Sequence, residues 1–418
     1  MRQMSYVKDE PHRLALGVSR PGHASVVHSG WLQWLMWFTV AISSIVFIEP
    51  APYDLLVLLL VVLLFPLGLR VPGETGIPLL LLMLFAAGHL AAALAVDDPD
   101  LMLRPLSIRT YMLITWLFWT SLVVADPLKY LPIIWQGYAF AALFATGWGI
   151  LQYFGFLPET LGAAFGRVTG PFKDANVFAP FLVPAILYYM ERMLRMRGTA
   201  LAFEAGKCLV LIYGLFLGFS RGAWLNLIVA FLLFMFLSII SARSIKEHLR
   251  LNIVLLAVGV AAVSTVYFAV AYTEAGQLFA ERAAFVQEYD VAQGGRFDTQ
   301  AKALAEIGRN PVGIGPGMSG PAFGGVEPHN LYLHVAVEGG WLAAISFYIF
   351  VLITLARAFT RINNGTALSR SLQIVLAALV GVLVQSLFID STHWRHLWLL
   401  MALTWAITIT IDRGIKAE

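Results

Sequence analysis

The sequence contains little cysteine and little charge. Cys208 is the only cysteine among 418 residues, so no disulfide can form within the chain and every loop must fold without one. Charged residues make up 13% of the sequence, whereas a soluble domain has about 25%. This scarcity of charge excludes a soluble globular domain. The net charge of +3 gives no indication of a nucleic-acid partner.

Several common functional patterns are also missing. The glycine-rich run over 313–325 is not followed by Gly-Lys-Ser or Gly-Lys-Thr, so we interpret it as a flexible connector rather than a phosphate-binding loop. The histidines are scattered and no His/Asp/Glu set has ligand spacing, so we expect neither a metal nor another cofactor. The polar first 30 residues lack the apolar core of a cleavable signal peptide.

Long apolar runs dominate the rest of the sequence. Apolar residues make up 59% of the chain and its mean hydropathy is +0.77, values that place it in a bilayer. A membrane-spanning helix needs about 20 apolar residues. We therefore predict an all-α polytopic membrane protein with about 12 transmembrane helices and one long extracytoplasmic loop containing short helices. The runs cover residues 31–48, 53–69, 77–95, 109–125, 131–153, 177–191, 207–219, 223–240, 251–272, 331–356, 371–389 and 396–411.

Positive charge predicts how these helices are oriented. Cytoplasmic loops of membrane proteins are enriched in lysine and arginine, and most of the 28 such residues fall on the N-terminal side of the predicted membrane. Both termini are therefore expected to be cytoplasmic. The region 207–240 remains open, because Ser220-Arg221-Gly222 could join two spans or interrupt one long helix. The predicted order is a tail over 1–30, transmembrane helices 1–9 over 31–272, a catalytic loop over 273–330, transmembrane helices 10–12 over 331–411 and a tail over 412–418.

The long polar loop is predicted to contain two helices. Residues 274–289 alternate apolar and charged side chains in the manner of an amphipathic helix on a bilayer surface. Residues 299–308 form the second, with Asp298 or Thr299 as N-cap and Asn310-Pro311 as its stop.

Four polar groups converge on the outer side of this topology, and three of them precede inward-running helices. Helix N-termini offer free N–H groups and partial positive charge, which favour anions. A guanidinium beside them can grip a diphosphate through two hydrogen bonds. The candidates are Arg221, Arg296 and His329, with Arg167, Asn176, Ser220 and Asn330 as further substrate contacts.

Each candidate also has a purely structural interpretation. An arginine can reach the membrane interface with its charged head, and an asparagine can simply cap a helix. Arg221 and His329 could simply lie at the membrane interface, and Arg296 could pair with Asp298 or Glu288 on the surface. Asn176 and Asn330 could be helix caps. Lys173 and Asp174 could form a solvated pair, and residues 393–396 could form an interfacial belt.

The order of these motifs resembles the O-antigen ligase and O-antigen polymerase family. The upstream stretch R-V-T-G-P-F-K-D-A-N-V-F-A also looks like a motif of that family. The stretches are 167–179, F-S-R-G-A-W-L at 219–225, G-G-R-F-D and the following helix at 294–308, N-P-V-G-I-G-P-G at 310–317, and P-H-N-L-Y-L to E-G-G-W-L at 328–342.

The resemblance implies a metal-independent membrane glycosyltransferase of surface polysaccharide, exopolysaccharide or lipopolysaccharide biosynthesis. It would lie in the bacterial inner membrane with its site facing the periplasm. The implied donor is a glycan on undecaprenyl diphosphate, and the acceptor is lipid A-core for a ligase or another lipid-linked repeat for a polymerase. By similarity His329, Arg221 and Arg296 are the functional residues, with His329 suited to act as base and the arginines suited to neutralise the departing diphosphate.

Two other classes compete with this interpretation. A transporter or flippase of lipid-linked oligosaccharide would also have about twelve spans, but few charges are expected mid-span here, which favours chemistry at one face. A structural scaffold of an assembly complex would tolerate changes at Arg221 and His329. The sequence identifies neither the sugar nor the acceptor, and it leaves ligase and polymerase as alternatives.

Overall fold

The computed structural model describes residues 30–157, 166–242, 244–272, 276, 279, 291–292, 294–362 and 367–414. Within these ranges the chain forms fourteen α-helices and no β-strand, which confirms the predicted all-α class. In chain order they are α1 Gly30–Ala41, α2 Pro52–Leu64, α3 Gly76–Ala93, α4 Pro99–Ala125, α5 Pro127–Tyr153, α6 Ala175–Met193, α7 Gly198–Leu217, α8 Arg221–Ser241, α9 Ile245–Tyr272, α10 Arg296–Arg309, α11 Ser319–Ala322, α12 Leu331–Phe359, α13 Ala367–Gln385 and α14 Arg395–Asp412.

Each predicted apolar run coincides with one of these helices. Eight of the helices are long and apolar enough to cross a membrane by length and composition, and α2 is a shorter apolar helix. These features confirm a polytopic membrane protein. The tail over 1–29, the amphipathic segment predicted over 274–289 and the C-terminal residues 415–418 lie outside the described residues.

The region 207–240 consists of two helices rather than one. Helix α7 starts at Gly198, so it is longer than the apolar run that began at 207. It ends at Leu217, and Ser220 then caps α8. Phe219 has a φ of 44°, a left-handed conformation that cannot continue a right-handed helix.

Helix α12 is kinked where the glycine-rich segment docks against it. Gly340 has a φ of 68° and interrupts the helix. The backbone N–H groups of Ile314 and Gly315 donate to the carbonyls of Val337 and Glu338, at 2.8 and 3.2 Å. The prediction of a flexible connector over 313–325 is therefore wrong, because this segment supplies donors to carbonyls that the kink takes out of the helical ladder.

Close approach at the kink explains why both partners are rich in glycine. A Cβ on Gly313 would lie 2.5 Å from the backbone nitrogen of Gly340. A Cβ on Gly340 would lie 2.3 Å from the backbone carbon of Val312. The N-P-V-G-I-G and E-G-G-W stretches thus form one interlocked unit, and Trp341 completes it by donating from its backbone N–H to Pro311 O at 2.8 Å.

The helix of the polar loop begins earlier than the sequence predicted. Helix α10 starts at Arg296 with Gly295 at its N-cap, and it stops at Arg309 before Asn310, where the stop was expected. Asp298 lies inside the first turn, where its carboxylate accepts from Gly294 N at 2.8 Å and pairs with Lys302 at 2.7 Å. A carboxylate near a helix N-terminus is favourable, so Asp298 stabilises α10 without being its cap.

Packing between distant helices brings the interhelical segments of the site together. Helix α12 packs against α3, α13 against α8, and α14 against α4. In addition, Leu331 N donates to Ser386 O at 2.9 Å, which joins the start of α12 to the end of α13. The starts of α8 and α12 and the α13–α14 segment consequently lie around one cavity.

Candidate active site

A cavity of about 290 Å³ collects six of the seven predicted site residues. We call it the cationic cavity because three arginines line it. Its walls come from the segment before α6, the α7–α8 turn, the start of α10, the segment before α12 and the α13–α14 segment. The six are Arg167, Asn176, Ser220, Arg221, Arg296 and His329, and their neighbours include Asp174, Glu327, Gln385, Asp390, His393 and Trp394.

Two walls of the cavity are built in the same way. Among the described residues, Phe219 and His329 are the non-glycine residues with positive φ, at 44° and 47°. Each stands directly before a polar N-cap, Ser220 for α8 and Asn330 for α12. Left-handed backbone costs such residues roughly 1–3 kcal/mol and often marks functional sites. At each position the left-handed conformation turns the chain into the following helix, and both residues lie on the cavity wall.

Arg167 is fixed in place by backbone and side-chain bonds. Its Nε donates to Gly218 O at 3.0 Å, and its Nη2 donates to Asn176 Oδ1 at 2.9 Å. Val168 N also donates to Leu217 O at 3.0 Å. These bonds tie the α7–α8 turn to the start of α6, so Arg167 both lines the cavity and holds two of its walls together.

Neighbouring polar residues have roles that differ from the sequence expectations. Asp174, rather than Asn176, caps α6 by accepting from Asn176 N at 2.9 Å. Lys173 pairs with Glu49 at 2.8 Å, so the predicted Lys173–Asp174 pair is wrong. Asn176 is left at the cavity wall, where it holds Arg167.

Arg221 and Arg296 are the first residues of two helices that meet at the cavity. Arg221 opens α8 and Arg296 opens α10, and both are half-buried. Each guanidinium therefore adds its charge to the positive end of a helix dipole. The carboxylate of Asp298, the surface partner considered for Arg296, is bound to Lys302 and to Gly294 N.

His329 lies at the exposed surface of the cavity. Its pKa is lowered, first because the surrounding protein displaces water from the ring and second because the charge of Arg296 opposes protonation. Glu327, Asp390 and Asp174 act in the opposite direction. The imidazole is consequently biased toward its neutral form, which can accept a proton.

Asn330 is the one predicted site residue outside the cavity lining. Its Oδ1 accepts from Tyr332 N and Leu333 N at 2.9 and 3.0 Å, and its Nδ2 donates to Leu387 O at 3.0 Å. The structure therefore uses this side chain to cap α12 and to attach it to the end of α13.

Asp390 is a cavity residue that the sequence reasoning did not single out. It is buried between α13 and α14, where Thr392 donates to it from N at 2.9 Å and from Oγ1 at 2.8 Å. Burial acts to raise the pKa of this carboxyl, but interactions with the imidazoles of His334 and His393 and the hydrogen bond from Thr392 N outweigh burial, and the pKa is lowered. The available signal was an acidic residue just after a predicted span.

A buried charge network extends from Asp390 into the helices. Nε2 of His334 lies 3.8 Å from Asp390 Oδ2 and 3.3 Å from Glu338 Oε2. Arg109 of α4 donates to Glu338 and lies 3.2 Å from His334 Nε2, and Ser319 Oγ donates to Glu338 Oε1 at 2.8 Å. The sequence led us to expect few charged residues in the middle of the spans, so this buried network was not predicted. Single charged residues within the apolar runs were the sequence feature that indicated it.

Three side chains beside the cavity have metal-ligand atoms within 4.8 Å of one another, namely Glu327, His334 and Asp390. Their separation in sequence hid this grouping from spacing arguments. The guanidinium of Arg109 lies 3.2 Å from His334 Nε2, and its positive charge opposes a second cation there. The arrangement fits a hydrogen-bonded charge network better than a divalent cation.

The fold and the cavity together define a helical membrane protein that presents a cation-rich site where several helices begin. A family model described as O-antigen ligase matches residues 207–348, from α7 through the kinked part of α12. This match includes Ser220, Arg221, Arg296 and His329. It supports an O-antigen ligase assignment for this part of the chain and confirms the resemblance indicated by the motifs between 219 and 342. No curated protein matches the chain.

Proposed function

We propose that this protein is a glycosyltransferase of the O-antigen ligase or polymerase type that transfers a glycan from undecaprenyl diphosphate to an acceptor sugar. The observation that carries the proposal is the cationic cavity, where separate segments supply Arg167, Arg221, Arg296 and His329. The family match agrees with this class of reaction.

The cavity can support both halves of a displacement at the anomeric carbon. An acceptor hydroxyl oxygen forms the new bond to that carbon while the bond to the diphosphate oxygen breaks, and the electron pair leaves with the diphosphate. His329 takes the hydroxyl proton. Arg221 and Arg296 neutralise the charge that develops on the leaving group, a role often worth several kcal/mol. The arginines would thereby do what a divalent metal does in other transferases.

The helix that carries Arg221 also offers a route for the lipid. Ile228, Leu232 and Phe236 project from α8 with 56–57% of their surface exposed. Apolar side chains at this spacing on a membrane helix face lipid. A polyprenyl tail could lie along this face while its diphosphate reaches the helix start. In this proposal the protein lies in the inner membrane, its site faces the periplasm and its termini are cytoplasmic.

The pool of lipid-linked glycan in a strain lacking the protein tests the proposal. Complementation with the wild type should restore the normal pool, whereas His329→Ala should not. Single repeats accumulating on undecaprenyl diphosphate identify a polymerase. Long chains accumulating there, with bare lipid A-core at the surface, identify a ligase. An unchanged pool in all strains contradicts the proposed reaction.

A further inference from the structure

A second cavity of about 220 Å³ adjoins the cationic cavity. Asp174, Val177, His393 and Trp394 line both cavities, so these side chains form a shared wall. We call the second one the aromatic cavity. Its lining includes Tyr53, Phe172, Phe181, Trp394 and His396, together with Ser43, Glu49, Lys173 and Arg395.

The lysine and the arginine that line the aromatic cavity are both paired with carboxylates. Lys173 lies 2.8 Å from Glu49, and Arg395 donates to both carboxylate oxygens of Asp54 at 2.6 and 2.5 Å. Paired charges offer little attraction to an anion, whereas the cationic cavity brings three guanidinium groups together in one lining. The cationic cavity thus favours an anionic group of the substrates, and the aromatic cavity favours a neutral group.

Three deeply buried polar atoms of this lining have no hydrogen-bond partner within the described protein. They are Ser43 Oγ, Trp394 Nε1 and His396 Nε2, on residues that are 8%, 2% and 4% exposed. Buried donors and acceptors are normally satisfied. Their common presence in the lining of one cavity points to a ligand that brings hydroxyl groups, because a hydroxyl both donates and accepts.

The remaining walls suit the apolar faces of a sugar ring. Phe172 and Phe181 have ring centroids 5.1 Å apart, and Trp394 and His396 have centroids 5.2 Å apart. Pyranose rings present C–H faces to aromatic surfaces and hydroxyls at their edges. The volume is below the roughly 300–1,000 Å³ of pockets for drug-sized ligands, so one ring fits rather than a chain.

We infer that the aromatic cavity binds the acceptor sugar ring, an assignment that rests on the proposed function. Displacement at the anomeric carbon requires the attacking hydroxyl and the leaving diphosphate to lie on opposite sides of that carbon. With the diphosphate held by the arginines, a ring in the adjoining aromatic cavity can direct a hydroxyl past the shared wall of Asp174 and His393 into the cationic cavity, which His329 lines. The donor sugar then lies in the cationic cavity beside this shared wall.

Sugar binding without transfer provides the first test. Saturation-transfer difference NMR would use the full chain in nanodiscs with methyl pyranosides of glucose, galactose, N-acetylglucosamine and a heptose as probes. Wild type should saturate at least one ring, and Ser43→Leu, which fills the cavity, should abolish that signal. Ser43 has a buried neighbour, Ser44, outside the cavity lining. Ser44→Leu shows whether a leucine in this segment disrupts the fold in general, whereas Ser44→Ala should keep the saturation-transfer signal of the sugar.

Transfer kinetics provide the second test and use milder changes. Ser43→Ala and Trp394→Phe each remove one hydrogen-bonding atom and should raise the acceptor KM about three- to ten-fold. Ser43 lines the aromatic cavity and is not in the lining of the cationic cavity, so Ser43→Ala should leave the donor KM unchanged. The matched controls are Ser44→Ala and Trp135→Phe, at buried residues outside the cavity lining. They should leave both KM values unchanged.

The outcomes separate this inference from the proposed function. A higher donor KM with an unchanged acceptor KM overturns the acceptor assignment, and unchanged NMR signals and KM values in the Ser43 and Trp394 variants overturn the sugar site itself. Absence of any saturation in wild type also overturns it. A wild-type protein that binds the probes but forms no glycosidic bond contradicts the proposed transfer and still supports a sugar site.

Discussion

At the scale of single residues, the site depends on two strained turns and on the chemistry of its cations. Phe219 and His329 adopt left-handed backbone immediately before capped helices. The sequence revealed the polar residues of these turns but not their strain, because left-handed φ values at phenylalanine and histidine arise from tertiary context. Sequence motifs therefore located the candidates, whereas their conformation required the structure.

Replacing Arg221 by lysine should reduce transfer strongly. Lysine keeps the charge but loses the planar fork that can bind two phosphate oxygens at once. We expect kcat to fall by about 10²-fold or more, in line with the loss of one preorganised donor to a developing negative charge. Initial rates with a labelled lipid-linked donor measure this. Arg70→Lys, at an exposed position away from the cavity, should retain normal rates.

The activity should depend on the lowered pKa of His329. A base works only when deprotonated, so transfer should be lost as the pH falls through that pKa, placing the acidic limb of kcat/KM below 6.5. Glu327 raises this pKa, so Glu327→Gln should move the limb to still lower pH. If the acidic limb of kcat/KM in Glu327→Gln stays at the same pH or moves to higher pH, His329 is not the base.

At the scale of elements, the kink of α12 and the docked glycine-rich segment form the frame of the site. The sequence predicted the helices well, since apolar runs of sufficient length identify them. It did not predict the kink, because the carbonyls of Val337 and Glu338 are satisfied by Ile314 and Gly315, which precede them by more than twenty positions in the chain. Glycine alone in a sequence does not distinguish a flexible segment from a closely packed one.

Gly340→Ala should destabilise the protein. Its φ of 68° is unfavourable for alanine, and the added Cβ would lie 2.3 Å from Val312 C. We expect a loss of about 2 kcal/mol or more, measured as a lower midpoint of thermal unfolding in detergent. Gly259→Ala is the matched control, because a Cβ there meets nothing within 4 Å. Equal midpoints for the two variants would contradict the packing described for the kink.

At the scale of the whole molecule, buried charges connect the site to the helix bundle. Arg109, His334 and Glu338 join α4 to α12 and reach Asp390 at the cavity. The sequence indicated a membrane bundle with polar groups at one face, but it could not pair Arg109 with residues more than 200 positions away. Long-range pairing of this kind follows from helix packing, which a single sequence does not reveal.

Arg109→Met should destabilise the bundle by about 3–5 kcal/mol, because it leaves Glu338 buried without its cation. Arg104→Met removes an exposed pair with Glu49 and should cost less than about 1 kcal/mol. Denaturant unfolding in mixed micelles compares the two variants. Similar losses for the buried and the exposed pair would contradict the importance given to the network.

Bond formation by the purified protein tests whether His329 is the base of a glycosyl transfer. The protein would be reconstituted with a lipid-linked glycan donor and a sugar acceptor, and the product would be followed by mass spectrometry. Wild type and His248→Ala, altered in α9 outside the cavity lining, should form the product. His329→Ala should lose transfer by several orders of magnitude while remaining folded. Full activity in His329→Ala would exclude His329 as the base.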